Sequence, residues 1–332
     1  MSKKIKDTEY LYLSTKIRAM ESRLLDRERM DRMLEAATVE DAAKVLVECG
    51  YPELSVVNVD TVDEILAQAR EEVFAELSGL APNEAMLDVF KVKYDYHNAK
   101  ALLKSEALRL NPGRLLVDTG RVPPKVLEEA VQKSEFRDIP ETLAAAIVQA
   151  REVLGATRDP QRSDLILDKA YFQELEHLAH ESRSDFLKGY VQMLVDAANL
   201  RSVVRVLRMG RDADYLATVL FPGGSVSEAR VLKAADGEAL ESVYFATPLE
   251  AAAAAGQIAV QGDGLTGFEK ACDDAVNAYM QQAKYVAFGE QPLLGYVSAK
   301  DNEFTAIRII MTGRLADLPA DVIRERLRNA YV

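Results

Sequence analysis

The sequence contains no tryptophan, two cysteines and three histidines in 332 residues, and aromatic residues make up only 7% of it. Cys49 and Cys272 stand alone, with no CxxC pair and no neighbouring histidine, which fits a reducing compartment better than a disulfide framework, and a cytoplasmic setting is expected. Three histidines leave little to activate a serine or cysteine nucleophile. No Gly-Lys pair occurs. Neither Pro222-Gly223-Gly224 nor Gly262-Asp-Gly264 continues into a phosphate-binding loop, so no nucleotide or other cofactor is expected. No charge-free apolar run approaches the roughly 20 residues needed to cross a bilayer, and Met1-Ser-Lys-Lys-Ile lacks the apolar core of an export signal. The 53 acidic residues outnumber the 41 basic ones, giving a net charge of −12. That charge repels phosphate backbones, and nucleic acid is not an expected partner.

What the chain does have is alanine, leucine and helical periodicity. Hydrophobic residues reach 48%, and the low aromatic content favours packed helices over sheets. Tyr10, Leu13, Ile17, Met20 and Leu24 step by three and four residues, marking an amphipathic opening helix. Thr38 to Asp41, Thr61 to Glu64 and Thr266 to Glu269 resemble capping boxes. Stretches 54–59 and 243–246 alone look strand-like, and they are too few for a sheet. The fold class expected is all-α.

A short pattern recurs along the chain. Asp95-Tyr-His-Asn98-Ala-Lys100-Ala-Leu102-Leu103-Lys104 returns as Asp196-Ala-Ala-Asn199-Leu-Arg201-Ser-Val203-Val204-Arg205. A degenerate copy follows at Glu303-Phe-Thr-Ala306-Ile-Arg308-Ile-Ile310, with alanine in place of the amide. The acids lie about one hundred residues apart, too far for a solenoid repeat and enough for a small domain. Three homologous helical domains are therefore expected, over residues 1–135, 136–240 and 241–332. Each would contain one long motif helix, near 83–110, 184–209 and after Pro292, with Gly120-Arg-Val122 and Gly224-Ser-Val226 turns following the first two.

At about 100° per residue, Asp196, Asn199 and Val203 share a helix face while Arg201 points away. The repeated acids then read as architectural, fixing inter-helix register through satisfied polar contacts, rather than as proton-transfer groups. Glu174, His177 and His180 superficially match the Glu-x-x-His ligand pattern of di-metal bundles. A second such motif is missing, because Tyr94 stands three residues before His97, and no metal site is expected.

The carboxy-terminal segments are more specific. Phe288-Gly-Glu-Gln-Pro292-Leu-Leu-Gly-Tyr296, Glu303 to Ile310, and Gly313-Arg-Leu-Ala-Asp-Leu-Pro319-Ala-Asp-Val-Ile323, together with Phe90 to Asn98, carry a family pattern. The chain resembles the C subunits of the archaeal and bacterial V-type ATPases, the counterparts of the d subunit of the eukaryotic vacuolar ATPase. The resemblance spans essentially the whole chain. It implies three similar helical domains about a pseudo-threefold axis in a funnel-like arrangement. It also implies a non-catalytic rotor component that couples the central shaft of the soluble ATPase to the membrane proteolipid ring during H⁺ or Na⁺ transport. Such a protein would sit peripherally on the cytoplasmic face of the membrane. A helical scaffold unrelated to ion transport is the alternative from another class. Arg314, Arg324, Arg326 and Arg328, with Arg308, concentrate positive charge in an otherwise acidic chain, and they are candidates for binding an acidic partner surface.

Overall fold

A computed structural model describes residues 6–332. Met1 to Ile5, where an export signal would begin, lie outside the described residues. Among the described residues every regular element is helical. Of the two strand-like stretches, 54–58 is irregular chain, and 243–246 is the end of a one-turn helix and the turn after it.

The chain groups into two compact units, one of Met1–Pro82, Gln192–Leu220 and Gly224–Val332, the other of Asn83–Val191 and Phe221–Gly223. The first 82 residues supply α1 (Leu11–Glu21), α2 (Arg27–Glu35), α3 (Val39–Glu48) and α4 (Val59–Ser78). The expected opening helix stops short of Leu24, because a separate helix begins at Arg27. Asp26 caps it, its carboxylate accepting from the Arg29 N–H at 2.8 Å. Thr38 caps α3 as its spacing predicts, accepting from the Asp41 N–H. Thr61 does not cap α4. Asn58 does, its Oδ1 accepting from the Thr61 N–H while Thr61 Oγ1 accepts from the Asn58 N–H, so the reciprocal box sits three residues earlier than expected.

The second unit contains α5 (Ala85–Leu108), α6 (Pro124–Lys133), α7 (Glu141–Thr157) and α8 (Pro160–Ser182), with α5 and α7 both packed along α8. Pro124 and Pro160 stand at first helical positions, where their missing N–H costs nothing. Leu87, Leu103, Leu127, Leu143, Ile147 and Leu167 are fully buried and form its interior.

The chain continues through α9 (Asp185–Arg208), α10 (Ala213–Val219), α11 (Glu228–Leu232), α12 (Leu240–Val243), α13 (Glu250–Val260), α14 (Thr266–Gln281), α15 (Glu290–Leu315) and α16 (Ala320–Arg324). The Thr266 to Glu269 capping box does not form. Leu265 enters α14 in helical conformation with no side-chain cap. In the larger unit, α15 is the hub: α1, α4, α3, α2, α14 and α16 all pack on it. One apolar cluster runs from Met33, Leu34, Leu46 and Leu66 to Ile307, Ile310, Met311 and Ile323, so early chain and late chain share a core. Residue 135 falls within the second of these units and residue 240 within the first.

Ile307 is fully buried in that shared cluster. Ile307→Ala is expected to cost about 2–5 kcal/mol, whereas Val322→Ala, at an exposed site, should stay within about 0.5 kcal/mol of the parent. Urea unfolding of the two variants against the parent checks both values.

Candidate functional site

The three acids of the recurring pattern are each engaged with backbone N–H groups ahead of another helix. Asp95, on α5, is fully buried, and it accepts from the Val122 N–H at 3.1 Å and from Arg121 Nε at 2.8 Å. Asp196, on α9, accepts from the N–H groups of Ser225 and Val226, both at 3.0 Å, and from the Ser225 hydroxyl. Each aspartate faces a Gly-x-Val turn that leads into the next helix. The glycine is required: a Cβ on Gly120 or Gly224 would lie 2.2 Å from the Oδ1 of Asp95 or Asp196 respectively. Glu303, on α15, accepts from the Leu25 N–H at 2.7 Å and from the Tyr51 hydroxyl at 2.5 Å, and Lys300 closes on it from one turn before. Val122, Val226 and Leu25 are each the residue just before the N-cap of α6, α11 and α2. All three acids therefore clamp the entry of a helix.

The cations point the other way, as helical geometry requires. Lys100 pairs with Asp168 at 2.5 Å and Lys104 with Asp164 at 2.6 Å, both on α8. Arg201 pairs with Glu269 at 2.6 Å and with Asp273, both on α14, and Arg308 pairs with Asp63 of α4 at 2.7 Å. Asn98 makes a two-way contact with Val117, donating to its carbonyl and accepting from its N–H at 2.9 Å each. Asn199 is equally buried. Ala306 packs against the apolar cluster instead, which is why this copy can dispense with an amide.

Arg121 lies outside the repeated pattern, yet it joins two buried acids. It reaches Asp95 through Nε and Glu174 through Nη2 at 2.7 Å, while the Tyr96 hydroxyl donates to Glu174, also at 2.7 Å. Glu174 is thus turned inward, and His177 and His180 are exposed. Among the described residues no group of three His, Cys, Asp or Glu side chains is placed to hold a metal ion. Burial pushes the Asp95 carboxyl above its ordinary range against the opposing pull of the Val122 N–H and Arg121. Burial also raises Asp196, opposed by Ser225 and Val226. The thiols of Cys49 and Cys272 are pushed up to about 11 and about 12 by burial, so both stay neutral and unreactive near pH 7. Gly120 and Gly224, each opening a Gly-x-Val turn after its acid, are the signal in the sequence for these clamps. Nothing in the sequence marks Tyr51 or Lys300.

The terminal arginines are largely occupied within the fold. Arg314 donates to the carbonyls of Leu34 and Ala36 at the end of α2. Arg324 reaches Asp31, Glu35 and Asp321, and Arg328 reaches Asp273 at 2.6 Å. Arg326 is exposed.

Two expectations follow for the clamp. Asp196→Ala leaves the Ser225 and Val226 N–H groups unpaired and should cost about 1–3 kcal/mol. Gly224→Ala alone should also destabilise. The double variant should cost less than the sum, because removing the carboxylate makes room for the new methyl group; chemical denaturation in a double-mutant cycle measures this. The pH dependence has a definite sign. A carboxyl raised on folding contributes stability that is full below its unfolded pKa and is lost as pH rises through the folded one. The stability of the parent relative to Asp196→Asn should therefore fall as pH rises above the ordinary carboxylate range, measured by thermal unfolding over a pH series.

A chain whose repeated polar residues are spent on holding helices has the makings of an assembly component, and its kinship agrees. The family described as ATP synthase (C/AC39) subunit matches residues 13–326. The C subunit of the V-type sodium ATPase of Enterococcus hirae is 24% identical, over 97% of this chain and 99% of that protein. The C subunit of the A-type ATP synthase of Methanocaldococcus jannaschii is 23% identical over 96% and 86%. Its counterpart in the V-type ATP synthase of Deinococcus radiodurans is 23% identical over 96% and 91%. A match that runs through all three motif helices, from α1 to α16, establishes that the chain belongs to the ATP synthase (C/AC39) subunit family.

Proposed function

We propose that this chain is a non-catalytic coupling component of a rotary V-type or A-type ATPase, joining the central shaft of the soluble sector to the membrane proteolipid ring. The observation that carries the reading is the near end-to-end match to the C subunits of a bacterial sodium ATPase and an archaeal ATP synthase. The architecture supports it, since the buried acids and amides serve helix entry and register. Among the described residues no helix is long and apolar enough to cross a membrane, and the proposed position is peripheral, on the cytoplasmic face.

The proposal extends to three repeats. Each motif helix clamps the entry of another helix through its acid and pairs its cation with a further one: α5 with α6 and α8, α9 with α11 and α14, α15 with α2 and α4. The third set is completed by residues from the beginning of the chain.

Reconstitution tests the function. The purified chain added to the soluble ATPase sector and the proteolipid-containing membrane sector of its own host should make ATP hydrolysis drive ion transport, and omitting it should leave hydrolysis without transport. Equal transport with and without the chain would overturn the reading and favour an unrelated scaffold. Among the carboxy-terminal arginines, Arg324→Gln should lower stability by about 1 kcal/mol or less, because its ion pairs are partly exposed. Arg326→Gln should leave the melting temperature unchanged and is the better probe of partner binding. Thermal melts and salt-dependent binding to each sector separate these effects.

A further inference from the structure

After α16 the chain runs on without regular structure from Leu327 to Val332. Residues 328–332 make no backbone–backbone hydrogen bond. Main-chain polar groups under cover need partners, and here side chains of α14 supply them. Lys270 donates to the Leu327 carbonyl, Gln281 Nε2 donates to the Ala330 carbonyl at 2.8 Å, and Asp274 accepts from the Asn329 N–H at 2.8 Å. Arg328 Nε adds a 2.6 Å contact to the Asp273 carboxylate. Lys270, Asp274 and Gln281 are spaced by four and seven residues, so they form one stripe along α14, with Asp273 beside it.

The same segment reaches inward to α15 and α1. Leu327 and Tyr331 are buried, Leu327 in the apolar cluster that early and late chain share. Tyr331 lies so close to α15 that a Cβ on Gly295 would stand 2.7 Å from its hydroxyl oxygen. Burial, and then the nearby charge of Glu21 on α1, push that hydroxyl up to about 12, so it stays neutral. Between the segment and α15 lies a cavity of about 30 Å³, lined by Leu24, Leu25, Asn302 and Glu303 on one side and by Asn329 and Tyr331 on the other. It has room for a water molecule but not for a side chain. The bond from the Leu25 N–H to Glu303, which clamps the start of α2, borders this cavity.

Two features make the segment separable from the helices it covers. It has no ladder of its own, so lifting it breaks side-chain contacts and leaves every helix intact, the condition for a local opening that costs less than global unfolding. Its charged anchor is also partly exposed on both sides, at Arg328 and at Asp273, and such a pair weakens as salt screens it. Asp273 serves Arg201 as well, through its other oxygen. The anchor is thereby joined to the cation of the second motif helix, while the residues it covers belong to the third motif.

We propose that residues 327–332 are a releasable strap, which closes over the Glu303–Leu25 clamp and holds α1 against α15. With the strap down, the Leu25 N–H and the Glu303 carboxylate are kept from bulk water, where their bond is strong. With the strap lifted, water reaches both groups, the bond loses most of its net worth, and the turn between α1 and α2 is freed. The inference does not depend on the coupling role, because every contact it uses lies within this chain.

Amide hydrogen exchange on the purified chain tests this, with the Leu25 amide and the last turn of α1 as reporters and α13 as the reference within the same unit. Deleting residues 327–332, or Tyr331→Ala, should speed exchange at both reporters by about tenfold and leave α13 at the parent rate. Asp273→Asn, which acts on Leu25 only through the strap, should speed the same amides by a smaller factor, as should raising the salt concentration on the parent. Parent rates at Leu25 and α1 in the deletion variant would overturn the strap. So would an equal acceleration of α13, which would make the segment an ordinary part of the core. If the deletion variant does not fold, Asp273→Asn and the salt series on the parent decide on the same amides, and no acceleration in either overturns the proposal.

Discussion

The structure depends on a buried carboxylate that reaches from one helix to the backbone N–H groups of the residues just ahead of another. Those residues have donors with no partner inside the helix they lead into, and in water such donors cost little. Asp95 with Val122, Asp196 with Ser225 and Val226, and Glu303 with Leu25 bring that junction under cover, where an unpaired donor would be costly and a charged acceptor is strong. The carboxylate fixes both the axial position of the motif helix and the point at which the chain turns into its neighbour. Glycine follows as a geometric necessity at residues 120 and 224, because the acid occupies the space of a side chain. Leu25 reaches the same result without glycine. Glutamate is one methylene longer, and its carboxylate also engages Tyr51 and Lys300.

Around this junction the two sides of each motif helix divide their tasks. One side carries the acid and, in α5 and α9, the buried amide. The other carries cations that pair with partly exposed carboxylates on α8, α14 or α4. Exposed pairs of this kind contribute little stability each, but they select which helix lies alongside. The apolar cluster uniting Met33 and Leu66 with Ile307 and Ile323 provides the larger driving force in its unit. Such a design has its polar groups committed to architecture, which suits the coupling role proposed for this chain.

Legibility in the sequence follows the range of the interaction. Helical class, the three motif helices and the opposed directions of Asp196 and Arg201 are readable because they depend on periodicity within one segment. Thr38 is legible as a cap, since a cap and its N–H lie three residues apart. The start of α2 is hidden although Asp26 carries the same local chemistry, because no glycine or proline interrupts the preceding apolar steps. Thr61 reads as the cap when Asn58 holds that place, the two forming a reciprocal pair that looks nearly the same in either frame.

The sequence by itself pointed to Asp95, Asp196 and Glu303 as corresponding positions of a recurring pattern, set each on a long helix, and carried the pattern of its family. It could not determine what each acid holds. Glu303 finds its donor at Leu25, 278 residues away in sequence, and no periodicity encodes so distant a partner. Whether the carboxy-terminal arginines are free was likewise a tertiary decision: Arg314 and Arg324 are engaged by α2, and Arg328 by α14, only because folding brings those segments together. Local pattern sets which face of a helix is polar. Only packing decides which main-chain donor or carboxylate comes within hydrogen-bonding distance of that face, because the distance is set by the summed geometry of every helix between them.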